Sequence, residues 1–193
     1  MKAIHIVAYG AVDEGALSAI EICLWHSYGF DVKRMPPQGE PAFALDTQRG
    51  QYNSVFVLRN LVREVPKDAV RLLGVTEKDL FIPMLSFVFG QAQLNSSGAV
   101  VSLARLRQEF YGLPANEVLL CARAVKESVH EIGHTFGLTH CADSTCPMSL
   151  SNNVRQVDLK GDELCKSCSI ILEENTKHIR TNANSVRGAE AKK

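Results

Sequence analysis

The sequence predicts a single α/β domain (α+β in its later part), a twisted mixed sheet packed by two main helices. Its 193 residues fit one domain, and 46% hydrophobic with 22% charged residues is ordinary globular usage that excludes disorder as the main state. Short β-branched runs alternate with helical-period segments through the first half and then give way to a hairpin. One uninterrupted helical pattern begins at Asn116.

Residues 3–9 (AIHIVAY) form the first strand. Read as a signal peptide this stretch fails: His5 interrupts it, and Asp13 and Glu14 stand where a small-residue cleavage site belongs. A reducing cytoplasm is the expected location, where cysteines more often bind metal or serve catalysis than form disulfides. Leu17, Ile20, Leu24 and Trp25 then recur at helical spacing up to a stop at Gly29. DVKRM (31–35) is a second short strand, residues 48–64 read as an amphipathic helix ending before Pro66, and AVRLLGVT (69–76) is a third strand. LSFVFGQAQL (85–94) and GAVVSLARL (98–106) read as two more strands, joined by the turn residues Asn95 to Gly98. The hairpin strand is expected antiparallel, at or near an edge.

From Asn116, which can cap it, to Gly137, which can end it at positive φ, NEVLLCARAVKESVHEIGHTF reads as one long helix. Val118, Ala122, Val125, Val129, Ile132 and Phe136 make the stripe expected to face the sheet. Formal charge is zero (21 basic, 21 acidic residues), which lacks the basic footprint of a nucleic-acid binder. No apolar run reaches the ~18 residues of a membrane-spanning helix. A peptide or protein substrate, with no nucleic acid and no membrane, is the expected partner, and oligomeric state stays open.

The string HEIGHTFGLTH, His130 to His140, carries the chemistry. His130 and His134, four apart, share one helix face and can bind one ion. On a straight helix His140 would lie about 15 Å further along the axis than His130. A left-handed Gly137 turns the chain back and makes His140 the third ligand. Three neutral imidazoles leave one tetrahedral position for water, the arrangement of a catalytic zinc. Glu131 points to a different side of the helix and is the candidate general base, taking a proton from the water that zinc acidifies and passing it to the leaving amine. Chance gives HExxH in about one chain in a hundred of this size, and the added glycine and third histidine cut that to about one in fifty thousand.

Cys141 follows His140 directly, then come Cys146, Met148, Cys165 and Cys168. Four thiolates in this C-x4-C…C-x2-C spacing suit a closed structural zinc, and anchoring Cys141 restricts where His140 can sit. Two disulfides or an iron–sulfur cluster are the competing readings. Cys23 and Cys121 read as core thiols.

HExxHxxGxxH is the metzincin signature, and the continuation H-C-x4-C-x-M…C-x-x-C resembles the archaemetzincins, as do GVTEKDLFIPMLSFVFGQAQL (74–94) and Lys126. The resemblance runs from the first strand to about residue 170. It implies a zincin/metzincin-like fold and zinc-dependent peptide hydrolysis. It further implies His130, His134 and His140 on a catalytic zinc with Glu131 as base, Met148 in a methionine turn beneath that zinc, and the four cysteines on a second, structural zinc. Two Zn2+ per chain are therefore expected. Leu150 stands where some metzincins place a tyrosine, so that role has no candidate here. Lys126 is either a positive group of the cleft or an ordinary solvated lysine.

Residues 1–185 are expected to form the peptidase domain: 1–137 the sheet and active-site helix, 138–185 a small C-terminal subdomain around the second zinc, and 186–193 a frayed tail. A peptide would add as a strand along the edge of LSFVFGQAQL. The alternative is a non-proteolytic or self-inhibited zinc-binding module acting through a partner. Endopeptidase and aminopeptidase action stay equally open.

Overall fold

The computed structural model describes residues 2–63 and 65–190, with residues 180–190 through the backbone alone. Five strands form the main sheet: β1 (Ala3–Tyr9), β2 (Asp31–Arg34), β5 (Ala69–Thr76), β7 (Gly90–Ala92) and β8 (Gly98–Ser102). Their order is β2-β1-β5-β8-β7, parallel throughout except for β7, which pairs antiparallel with β8 at the edge. That is the mixed sheet with an antiparallel edge strand expected from the hairpin.

Alternation along the strands divides the core into two layers. Ile4, Ile6, Leu73, Val75, Ala99 and Val101 pack under α1 (Glu14–Tyr28) and α3 (Glu117–Thr135). Val7, Tyr9, Leu72 and Val100 face α2 (Ser54–Leu61). Each of these helices starts on a side-chain cap: Asp13 accepts from the Ala16 amide, Asn53 from Val55 and Asn116 from Leu119.

Four expectations need correction. The helix expected over 48–64 is only α2, because residues 45–53 join a small second sheet of β3 (Leu45–Asp46), β4 (Gln51–Asn53) and β6 (Leu80–Phe81). The strand expected over 85–94 shortens to β7, because long-range bonds hold residues 85 and 86 as a loop: Arg49 donates to both carbonyls and Gln51 to that of Ser86. Its partner over 98–106 ends at Ser102. On α3, Val118 is 83% exposed and Ala122 is also exposed, and the buried face there runs through Leu120 and Ala124 instead. The stripe is in phase only from Val125 onward.

Beyond α3 lie α4 (Val154–Leu159) and α5 (Lys166–Glu190). α5 takes in residues 186–190 of the segment read as a tail, and 191–193 lie outside the described residues. Among the described residues no helix is long and apolar enough to cross a membrane.

The end of α3 is held from several directions. Phe136 stacks with Tyr28 and with Phe30 at centroid distances of 5.2 and 5.7 Å, and the Arg71 guanidinium lies 4.2 Å from its ring centroid. Arg71 also donates to the Thr135 carbonyl, and Asn175 of α5 donates to that of Phe136. Both bonds satisfy carbonyls that a helix end leaves without partners.

Candidate active site

α3 carries His130, Glu131 and His134 to the open edge of the sheet, and the chain then reverses at Gly137. With φ of 89°, Gly137 donates to the His134 carbonyl while Leu138 donates to that of Gly133. This pair of bonds is the Schellman turn that a left-handed glycine permits. Asn95 and Asn175 crowd the space a Cβ would need at Gly137, so conformation and close approach both require glycine there.

The turn returns His140 to the helix, and the side-chain nitrogens of His130, His134 and His140 offer ligand atoms within 4.8 Å of one another. Ring centroids lie 4.5 to 5.3 Å apart. His130 Nδ1 donates to the Pro147 carbonyl at 2.8 Å and His134 Nδ1 to that of Leu138 at 2.7 Å. Carbonyls only accept, so both Nδ1 atoms carry hydrogen and both neutral rings present lone pairs at Nε2. Those two Nε2 atoms face each other at 3.0 Å. Only a cation between them relieves that contact. A proton is the poorer choice: burial holds His130 far below the usual imidazole range and lowers His134 and His140 in the same direction. Zn–N bonds of about 2.0–2.1 Å in a tetrahedron separate two nitrogens by about 3.3 Å, so the donor set fits zinc.

Glu131 lines the same cleft and is 6% exposed. Burial, reinforced by the like charge of Glu127, raises its pKa well above the carboxylate range. It packs so closely on β7 that a Cβ on Gly90 would stand 2.5 Å from Glu131 Cγ. The cleft encloses about 420 Å³ between the 85–92 segment on one side and the histidines with residues 150–152 on the other. Leu150, 55% exposed, is part of its wall. A cavity of about 590 Å³ between α1 and residues 162–164 is larger. It converges no three ligating atoms, since among the described residues only the histidine and cysteine groups do so.

The four cysteines gather 4.8 Å or less apart, all as free thiols. Cys141 and Cys165 Sγ are 3.7 Å apart, Cys146 and Cys168 Sγ 3.9 Å. A tetrahedron of Zn–S bonds near 2.3 Å has an edge of about 3.8 Å, so these thiols also fit zinc. Cys168 sits in the first turn of α5, and Cys141 donates its amide to the Met148 carbonyl, which fixes the chain just after His140.

Met148 is fully buried against Gly133 of α3. Its sulfur occupies the space a Cβ on Gly133 would take. Gly133→Ala is therefore expected to destabilise the fold by about 1–3 kcal/mol through overpacking. A urea melt checks this, and Met148→Ala should cost less in the Gly133→Ala background than in wild type, since the two residues touch.

Lys126 does not face the cleft. Its ammonium donates to the carbonyls of Val157 and Asp158 at the end of α4. Gly90, Gly133 and the buried pair Glu127–Lys160 are parts of the site's surroundings that sequence reading missed. The glycines showed no local turn signal, and the pair joins residues far apart in the chain.

Residues 42–174 match the family model described as Peptidase family M54. The archaemetzincin of Methanocaldococcus jannaschii is 46% identical over 145 residues, covering 75% of this chain and 79% of that relative. The crystal structure of archaemetzincin from Methanopyrus kandleri is similar at a TM-score of 0.81 and 36% identity, over 91% of this chain and 96% of that one. A crystal structure described as a zinc-dependent peptidase from Methanocorpusculum labreanum gives 0.79 at 33% identity, over 88% and 99%.

Proposed function

The chain belongs to peptidase family M54, the archaemetzincins, and is a zinc metallopeptidase; from that premise we propose that His130, His134 and His140 hold its catalytic zinc and that Glu131 is the general base. Cys141, Cys146, Cys165 and Cys168 hold a second, structural zinc, two ions per chain. The observation that carries this reading is the pair of Nε2 lone pairs facing each other at 3.0 Å, with Glu131 in the same cleft wall.

Zinc bound there supplies Lewis acidity, which polarises a carbonyl and lowers the pKa of water from about 15.7 towards about 7. The chain's own residues do the rest. The Pro147 and Leu138 carbonyls fix each imidazole with Nδ1 protonated and Nε2 turned to the ion, the second layer of support that ligating histidines need. Glu131 receives the proton of the attacking water on a carboxylate oxygen and returns it to the nitrogen of the leaving amine. The outer edge of β7 faces the cleft unpaired by any described strand, so an extended peptide adds there by backbone hydrogen bonds. Gly137 and Met148 are supports, one directing His140 and the other packing under the helix.

A peptide-library digest read by mass spectrometry tests the reading. Zinc-loaded protein is expected to cut, chelated protein to stop, and the product masses to separate internal cleavage from removal of terminal residues. If no peptide in a broad library is cut at any metal loading, hydrolysis is the wrong reading and partner binding takes its place.

A further inference from the structure

Glu127 lies one helical turn before Glu131 on α3, so the two side chains share a face. Glu127 lines the cleft together with His130 and Glu131. The Lys160 ammonium stands 3.1 Å from the Glu127 carboxylate, with the two side chains 1% and 4% exposed in that order. Taking two charges this far out of water usually costs more than their attraction returns, and an apolar pair of similar volume is often at least as stable. Nor is the pair needed to dock α4 on α3. Arg123 grips Asp158 through two bonds of 2.6 and 2.8 Å, and Lys126 donates to the carbonyls of Val157 and Asp158.

The arrangement of the charges suggests another purpose. Glu127 is one of the residues lining the cleft and Lys160 is not, so a cation in the cleft meets the negative partner of the pair before the positive one. Alone, the ammonium, 3.1 Å from a carboxylate oxygen of a cleft-lining residue, would repel a divalent ion there.

We propose that Glu127 is a positioning residue of the histidine site, held by Lys160, that cancels the ammonium and tilts the local field to favour a divalent cation among three neutral imidazoles. This rests on the reading that those histidines hold the ion. The deletions of the two partners then act with opposite sign on metal affinity, which a merely structural pair would not do.

Titration of the full chain with Co2+ tests this, because thiolate-to-metal charge-transfer absorption reports the four-cysteine site separately from the histidine site. Glu127→Gln is expected to weaken the histidine site at least about tenfold, because an uncompensated ammonium remains beside it. Lys160→Met should bind no more weakly than wild type, and the double variant should return to within about threefold of it. The four-cysteine affinity should hold in all three. The inference is overturned if both single variants weaken the histidine site alike, if neither changes it, or if the double variant is as weak as Glu127→Gln. Should Glu127→Gln not fold, a tenfold loss in Lys160→Met or in the double variant overturns it as well. Wild type that binds Co2+ only through its cysteines would instead remove the histidine assignment, and this inference with it.

Discussion

Glu131→Gln is expected to hydrolyse peptides at least about a hundredfold more slowly than wild type, with zinc content and melting temperature nearly unchanged. General acid–base steps contribute typically about 10²–10⁴-fold, and glutamine keeps the size of the side chain while losing the ability to accept a proton. Zinc should stay because the three imidazoles provide the ligand set without Glu131. Stability should hold for a different reason. Glu131 lies buried against Gly90, and both burial and the Glu127 charge disfavour its ionised form, so a neutral amide of the same shape removes an unfavourable charge. Initial rates on a peptide cut by wild type, metal analysis and a thermal melt make the comparison. Equal rates would remove Glu131 from the mechanism. Loss of zinc along with activity would make it a ligand or a structural support.

The legible parts of this protein are those in which local chemistry decides the outcome. β5 covers the span its β-branched run predicts, and Asn116 caps the helix it precedes. Gly137 takes positive φ where the third histidine needs a turn. The histidine and cysteine clusters are legible because residues able to ligate one ion recur at characteristic spacings in the sequence. What failed was decided by distant partners. Gln51 to Asn53 looked helical but pair with β3 and β6, and the start of the run at Leu85 and Ser86 is held as a loop because Arg49 and Gln51 claim those two carbonyls. Val118 fitted the helical stripe, yet the first turns of α3 bury Leu120 and Ala124, so the buried face there is out of phase with it. Glu127 and Lys160 are each ordinary charged residues in sequence, and only the fold brings them together in the core.

Cys168→Ser is expected to lose one zinc per chain and to lower the melting temperature by at least about 10 °C, more than His134→Ala does. The difference follows from what each ligand group holds together. The four thiols join the loop after His140, the Met148 segment and the first turn of α5, none of which is paired into the main sheet. Structural zinc contributes directly to folding, with apparent binding free energies of about 10–16 kcal/mol in zinc-finger peptides, so even a fraction of that would matter here. Each kcal/mol shifts the melting temperature by about 2–4 °C in a domain of this size. The histidine ligands differ: His130 and His134 sit on a helix already fixed by Phe136, Arg71 and Asn175, so removing one costs packing energy and little else. Activity should fall in Cys168→Ser too, because Cys141 is bonded in sequence to His140 and loses its anchor. Metal analysis and matched thermal melts of wild type and both variants check this. Equal melting losses, or a larger one in His134→Ala, would mean that the histidines carry the structural ion and the cysteines do not.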